Sequence, residues 1–145
     1  MSLSRHKFLL DTNVLIALTQ PEHSHFKTAS EWFDRQGLNW GVCAFSEAGF
    51  LRISANHYVG KLTVEAAMIL LSGLAQRPGY RFWPITAGWS ELTAPFSDRI
   101  FGHQQITDAY LLGLAIKEDG VLVTLDKAIK SMAGPHYSKH VLVLE

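Results

Sequence analysis

The chain has 145 residues, of which 48% are hydrophobic, and this size and composition fit one domain with a substantial core. We therefore expect a single domain over residues 1–145. Thirteen basic and 13 acidic residues give a formal net charge of zero, so charge alone identifies no polyanionic partner. The only cysteine, Cys43, excludes an intrachain disulfide and a zinc cluster of cysteines. Such cysteine usage favours a reducing cytoplasm.

The start of the chain contains no apolar run of signal-peptide or membrane-spanning length. Its apolar stretches are interrupted at Asp11 and Asn13, whereas a spanning helix needs about 20 apolar residues. We therefore expect a soluble protein with no membrane partner.

Short runs typical of β-strands alternate with longer runs typical of helices. Each strand-like run is separated from the next by enough residues for one or more helices. This alternation is the βαβ pattern of a parallel sheet. The predicted strands are KFLLD at 7–11, LNWGVC at 38–43, YRFWPI at 80–85, GVLVTLD at 120–126 and HVLVLE at 140–145.

Helix boundaries are indicated by hydroxyl residues and glycines. Ser24, Ser46 and Thr63 stand before helical runs, and Gly37 and Gly120 stand where helices should end. These signals predict helices in the three longer gaps between strands.

Two segments in the second half of the chain differ from this pattern. Residues 106–120 are apolar nearly all round, as crossover helices covered on both sides are. Residues 84–105 are the least regular part, for which we predict one short helix around Trp89 to Phe96 and then a surface loop leading to Asp108.

Four acids fall where the chain leaves a strand or enters a helix, namely Asp11, Glu47, Asp108 and Asp126. Taken singly, each has an alternative explanation as a helix cap or a first-turn acid that favours the helix dipole. Taken together, they predict a common site, because strand ends and helix starts of an open parallel sheet meet at the ligand-binding crevice.

Carboxylates gathered in that crevice would repel each other unless a cation neutralises them or some stay protonated. Hard oxygen ligands select Mg²⁺ or Mn²⁺, and such ions can activate water for phosphodiester hydrolysis. We predict Asp11 and Asp108 as direct metal ligands, Asp126 as a further or water-mediated ligand, and Glu47 as the group that orients or deprotonates the water. With these four acids in one site, 13 basic residues face nine remaining acidic ones, a modest surplus that suits a polyanion.

The same segments resemble a known family. FLLDTNVLIAL, SEAGFLRIS, ITDAYLLGLA and LVTLD are similar, in order and context, to the four acidic motifs of the PIN-domain nucleases, and most similar to VapC-type toxins of bacterial toxin–antitoxin pairs. LLDTNVLI and TDAYLLGLA are the distinctive motifs, whereas the other two are weak alone. The resemblance spans nearly the whole chain, although residues 57–103 match least well.

The resemblance implies a three-layer α/β/α sandwich with a mainly parallel central sheet. It also implies an Mg²⁺- or Mn²⁺-dependent endoribonuclease that cleaves RNA, forms a homodimer and is inhibited by a small antitoxin protein encoded alongside. Asn13 and Thr124 match positions that, in the family, often support the acids through hydrogen bonds.

Other residues suit contacts with RNA less specifically. His103, five residues before Asp108, is a possible contact for a phosphate or a base, although a surface histidine without a chemical role is the commoner case. Trp40, Trp83 and Trp89 are candidates for stacking on bases, but a tryptophan in a strand is more often part of the core. Five basic residues, usually solvated when scattered in this way, are candidates for an RNA groove: Arg52, Lys61, Arg77, Arg81 and Arg99.

Two alternative functions stay open. A haloacid-dehalogenase-like phosphatase also has a strand ending in Asp, but its chemistry needs a second acid two residues later, where this chain has Asn13. The more serious alternative is a catalytically inactive PIN-like module that binds RNA or protein.

Overall fold

A computed structural model describes residues 6–35 and 37–145, and its centre is a five-stranded parallel sheet. The strand order is β3-β2-β1-β4-β5, and all four neighbouring pairs run parallel. The five predicted strands and the parallel sheet are confirmed. The strands are β1 Lys7–Leu10, β2 Asn39–Val42, β3 Tyr80–Phe82, β4 Val121–Thr124 and β5 Val141–Val143.

Helices cover both faces of the sheet. Within the described residues they are α1 Thr12–Thr19, α2 Phe26–Phe33, α3 Ala44–Ser54, α4 Val64–Ala75, α5 Trp89–Thr93, α6 Ile106–Lys117 and α7 Lys127–Tyr137. Three short 3₁₀ segments lie at Ala94–Arg99, His103–Gln105 and Ser138–His140.

The core has two halves, one on each face. Alternate residues of β1 point to opposite sides, so Phe8 and Leu10 pack with α1 to α4, whereas Leu9 packs with α6 and α7. The three-layer α/β/α sandwich is therefore confirmed. α6 is also enclosed as predicted, with six of its 12 residues buried.

The predicted helix starts are correct in one case of three. Thr63 caps α4, because its side chain accepts a hydrogen bond from the Ala66 amide at 3.0 Å. The prediction for Ser24 is wrong, since α2 begins at Phe26 with His25 at its cap position. The prediction for Ser46 is also wrong, since it lies inside α3.

The end of α6 shows that the position of a glycine in the sequence does not identify the residue that takes the left-handed backbone conformation. Asp119, not Gly120, takes the left-handed conformation, with φ of 53°. The Gly120 amide then bonds to the Ala115 carbonyl at 2.7 Å and closes a Schellman motif. A glycine is needed at position 120 because a larger side chain would not fit. A Cβ there would lie 2.6 Å from the Trp83 ring and 2.8 Å from the Lys7 carbonyl oxygen.

The order of the strands fixes where a ligand can bind. From β1 the chain proceeds outward to β2 and β3, and then returns to the other side of β1 for β4 and β5. The switch point therefore lies between the carboxyl ends of β1 and β4, where open α/β sheets form their crevice. In the described part of the chain, no helix has the length and apolarity that crossing a membrane requires. The extent of the domain, residues 1–145, stays a prediction.

Candidate active site

Asp11 and Asp126 occupy the two sides of this switch point. Asp11 follows β1, and its amide bonds to the Val123 carbonyl of β4 at 2.9 Å, which extends the pairing of the two strands by one residue. Asp126 follows β4 by two residues. The sheet topology therefore brings together two acids that lie 115 positions apart.

Asp11 is a buried carboxylate with two different hydrogen-bond donors. Only 5% of the residue is exposed, and its oxygens accept from the Thr12 amide at 2.7 Å and from the Thr124 hydroxyl at 2.8 Å. Burial raises the pKa of Asp11, the two hydrogen bonds oppose that rise, and the charge of Asp126 adds to it. The site thus holds an acid whose negative charge is costly without a counter-charge.

Thr124 joins the ends of β1 and β4 through one hydroxyl group. It donates to Asp11 and accepts from the Asp126 amide at 3.0 Å and from the Asn13 side-chain amide at 3.3 Å. One donor and two acceptor sites are all that a hydroxyl offers. Asn13 completes the connection, since its side-chain oxygen accepts from the Leu125 amide at 3.1 Å. Asn13 and Thr124, the two residues predicted to support the acids, therefore bond to each other, and Thr124 also bonds to the Asp11 carboxylate and the Asp126 amide.

Asp108 enters the site from a different layer. It lies in the first turn of α6, and its pKa is raised to about 7 by burial first, and then by the charges of Asp11 and Asp126. The three aspartates are therefore close enough for their charges to interact, although they come from three separate segments.

The capping explanation is correct for two of the acids. Asp11 accepts from the first amide of α1, and Asp126 caps α7 by accepting from the Ala128 amide at 2.9 Å. Capping does not compete with a shared site, because each capping carboxylate retains an oxygen or a lone pair for another partner.

Glu47 is not among the acids whose charges raise the pKa of Asp11 or Asp108. It is half-buried in the first turn of α3, but the charges that raise the pKa of Asp108 come from Asp11 and Asp126. Glu47 instead contributes, after burial, to a raised pKa of Tyr80. The charge interactions thus involve Asp11, Asp108 and Asp126, whereas Glu47 lies beside Ser46 in the first turn of α3.

Ser46 has a role at this edge that the sequence did not reveal. Its fully buried hydroxyl donates to the Leu10 carbonyl at 2.7 Å, and its own carbonyl accepts from the Thr12 hydroxyl at 3.2 Å. These contacts fix the first turn of α3, which carries Glu47, to the end of β1. A serine before an apolar run signals a helix cap equally well, so no local pattern distinguishes the two roles.

The other candidate residues differ in accessibility. His103 is exposed and opens the 3₁₀ segment before α6. Trp40 and Trp83 are only 1% and 7% exposed, so both belong to the core, as the commoner case predicted. Trp89 is half-buried and packs on Tyr110, with ring centroids 5.1 Å apart.

Residues 6–35 and 37–145 contain no group of three or more histidine, cysteine, aspartate or glutamate side chains that converges on a position for one metal ion. The aspartates nevertheless have the chemistry that Mg²⁺ and Mn²⁺ prefer, namely oxygen donors with unbalanced negative charge. Mg²⁺ commonly binds through one or two carboxylates and keeps several waters. The aspartates therefore fit such an ion even though three side chains do not converge on one metal position.

Comparisons with known proteins identify relatives over most of the chain. The family model described as PIN domain matches residues 8–135. Ribonuclease VapC39 of Mycobacterium tuberculosis is 36% identical over 128 residues, which cover 86% of this chain and 92% of the relative. Ribonuclease VapC44 of the same species is 35% identical over 136 residues, covering 92% and 96%.

Solved structures share the fold at low sequence identity. VapBC2 from Rickettsia felis, bound to a DNA fragment from its promoter, has a TM-score of 0.63 at 17% identity and covers 96% of this chain and 97% of its own. FitAcB from Neisseria gonorrhoeae has a TM-score of 0.61 at 19% identity and covers 95% and 96%. VapC20 of Mycobacterium tuberculosis, a toxin that cleaves the sarcin–ricin loop, has a TM-score of 0.60 at 16% identity and covers 88% and 95%.

Proposed function

This chain belongs to the PIN-domain family, and we propose that it is a metal-dependent endoribonuclease and the toxin of a toxin–antitoxin pair. The relatives that are named ribonucleases cover most of its length. We further propose that it acts in the cytoplasm, where its free and buried Cys43 stays reduced.

The observation that carries the proposal is the electrostatics of the three aspartates. Burial and the neighbouring acids hold the pKa of Asp108 at about 7 and raise that of Asp11. A carboxylate group with unbalanced charge, in the crevice of an open parallel sheet, suits a site that binds a cation together with an anionic substrate.

Asp11 and Asp108 would hold Mg²⁺ or Mn²⁺ in this site, and Asp126 would be a further ligand, directly or through a water. When bound, the ion would supply an activated water and neutralise charge on the leaving oxygen during phosphodiester hydrolysis. Thr124 and the Thr12 amide orient the Asp11 carboxylate. Glu47, which is fixed to the end of β1 through Ser46, would accept the proton of the attacking water.

The test is cleavage of RNA by the purified protein. Total cellular RNA should be cut with Mg²⁺ or Mn²⁺, and EDTA should abolish the cuts. Asp11→Ala and Asp108→Ala should each reduce the rate at least about 100-fold, since each removes a ligand that neutralises transition-state charge. Metal-independent cleavage, or wild-type rates in both variants, would refute this mechanism.

Asp34→Ala is a matched control for these variants. Asp34 is an exposed aspartate between α2 and β2, at the opposite edge of the sheet, and forms a surface ion pair with Arg77 at 3.1 Å. Such pairs contribute little to stability. The control should therefore cut RNA at the wild-type rate.

The same experiment addresses the alternative functions. An inactive PIN-like module would bind RNA or protein but cut nothing in any metal. A haloacid-dehalogenase-like phosphatase would hydrolyse phosphomonoesters. The second alternative has little support, because the position that needs an acid is Asn13, whose side chain contacts Thr124 and the Leu125 amide.

We also propose two protein partners, a cognate antitoxin and a second copy of this chain. The antitoxin follows from the family and from neighbours such as VapBC2, which were solved as toxin–antitoxin complexes. The second copy has one structural support. α4 fully buries only Ala67 and exposes Val64, Met68 and Ile69.

Val64, Met68 and Ile69 form an apolar patch beside the exposed Glu65 of the same helix. A symmetric dimer requires a self-complementary surface, and exposed apolar side chains that cluster commonly mark protein contacts.

A further inference from the structure

Phe101 is an unusually exposed aromatic residue that lies seven positions before Asp108 in the sequence. Its exposure is 85%, which among the large hydrophobic residues of the described chain is equalled by Tyr58. Phe101 lies just before the 3₁₀ segment His103–Gln105, which continues directly into α6 and Asp108. At roughly 1.5–2 Å per helical residue, Asp108 lies only about 10 Å from the start of that segment.

The loop that carries Phe101 is held by a specific side chain. The Gln105 side-chain oxygen accepts from the Phe101 amide at 2.6 Å and from the Gly102 amide at 3.1 Å. The backbone beneath the ring is therefore fixed, while the ring itself faces solvent. An exposed ring gains none of the free energy that burial would supply, so a partner that covers it would gain this free energy on binding.

A basic groove begins near the same site. Arg99, Lys127 and Lys130 line a groove of about 480 Å³ along α7, together with Glu145. Lys127 is next to Asp126 in sequence and pairs with Glu145 at 3.4 Å. The Arg99 side chain packs on α7, since a Cβ on Gly134 would lie 2.6 Å from its guanidinium group. Positive charge beside the aspartates would attract a polyanion that runs past the carboxyl ends of β1 and β4.

We propose that Phe101 stacks on an unpaired base of the RNA substrate, and that Arg99 and Lys130 hold the phosphates of the adjoining nucleotides. This inference rests on the proposed ribonuclease function. Single-stranded or looped RNA is bound by such a combination of an aromatic platform and a positive groove, and stacking tolerates any base. Trp40 and Trp83 cannot stack on a base, because both side chains are buried.

The test measures RNA binding separately from cleavage. The background is the Asp108→Asn protein in Mg²⁺, and the readout is the fluorescence anisotropy of two labelled 12-nucleotide probes. One probe is single-stranded oligoadenylate, and the other is an abasic ribose-phosphate oligomer with the same charge. Phe101→Ala should raise the Kd for oligoadenylate about 5- to 150-fold, as expected for one lost stacking contact, and leave the Kd for the abasic probe unchanged.

Three further variants make the result specific. Phe101→Trp should retain the affinity of the background protein, because it retains a stacking ring. Tyr58→Ala should also retain it, because Tyr58 is equally exposed but lies between α3 and α4, at the other edge of the sheet. Arg99→Ala should weaken both probes alike and reduce the salt dependence of binding.

The inference is overturned if Phe101→Ala binds oligoadenylate as tightly as the background protein, or if it loses affinity equally for the abasic probe. Absence of measurable oligoadenylate binding by the background protein would overturn it too. A failure of the proposed function has a different signature, namely no RNA cleavage by the wild type in any divalent metal while base-dependent binding through Phe101 remains.

Discussion

At the residue scale, the hydroxyl of Thr124 is the most connected group of the site. It bonds to Asp11, Asn13 and the Asp126 amide at once, so one oxygen connects the junction of β1 and α1 with the residues that follow β4. A residue of the same shape without the hydroxyl would leave a buried carboxylate oxygen without its donor.

Thr124→Val should therefore lower the free energy of unfolding by about 1–3 kcal/mol and reduce RNA cleavage through a displaced Asp11 carboxylate. Thr124→Ser should retain most of both properties, because it keeps the hydroxyl. Urea unfolding and cleavage rates measure the two effects. Equal stability and equal rates for the valine and serine variants would contradict the role given to this hydroxyl.

Asp108 gives a prediction about pH for the metal-free protein. Its pKa in the folded state is about 7, above the ordinary value of 3.8, so the folded state binds the proton more tightly than the unfolded chain. Stability from this group is present at low pH and is lost as the pH rises from about 4 through 7.

Asp108→Asn should consequently have a higher Tm than the wild type at pH 8 in EDTA, by at least about 3 °C after allowance for partial exposure. The difference should shrink as the pH falls towards 4. Saturating Mn²⁺ should raise the Tm of the wild type more than that of the variant. Thermal melts at three pH values test this prediction. An unchanged or lower Tm for the variant at pH 8 would contradict the claim that ionised Asp108 destabilises the metal-free protein.

At the scale of elements, close packing of α1 on α3 sets the position of the site. Thr12 of α1 contacts α3 twice, through its hydrogen bond to the Ser46 carbonyl and through its fit against Gly49. A Cβ on Gly49 would lie 2.4 Å from the Thr12 hydroxyl oxygen. The glycine therefore allows α1, which Asp11 caps, to approach α3, which carries Glu47.

Gly49→Ala should destabilise the protein by about 1–3 kcal/mol, because the added methyl group has no room. Gly73→Ala in α4 is the matched control, since nothing lies within 4 Å of its Cβ position. There the higher helix propensity of alanine should stabilise by up to about 1 kcal/mol. Chemical denaturation of both variants measures these opposite signs, and a stabilised Gly49→Ala would disprove the packing argument.

At the scale of the whole molecule, the proposed dimer depends on the surface of α4. Its exposed Val64, Met68 and Ile69 are 59%, 54% and 65% accessible, although a helix on a sheet normally exposes polar residues. A dimer through this surface would have twice the chain mass of 16.2 kDa.

Light scattering after size exclusion should therefore give about twice the chain mass for the wild type and the single-chain mass for the double variant Met68→Lys, Ile69→Lys, because two positive patches would face each other. Lys27→Glu, a change at an exposed residue of α2, should leave the dimer intact. A dimeric double variant would assign the interface to another surface.

The toxin proposal also belongs to this scale. Expression of the wild type alone should arrest growth of a bacterial host, whereas Asp108→Ala at equal protein level should not. Co-expression of the proposed cognate antitoxin should restore growth of the wild-type strain. Equal tolerance of wild type and variant would point to a housekeeping nuclease or an inert module.

The sequence by itself determined the elements and the order of the acids. Alternating apolar runs are local signals, so all five strands and the parallel α/β architecture could be predicted from them. The exact residues at which helices begin and end could not be predicted, as Ser24, Ser46 and Gly120 illustrate. A serine can be a helix cap or a buried hydrogen-bond donor, and a glycine can end a helix or fill a site too small for a side chain.

Only the tertiary structure decided which groups interact. The strand order β2-β1-β4 brings Asp11 beside Thr124 and Asp126, and burial together with neighbouring charge raises the pKa of Asp108. Likewise, the structure shows that the Trp40 ring is buried in the core and that the Phe101 ring is exposed. Distance, burial and exposure depend on residues far apart in the chain, and a local pattern carries no information about them.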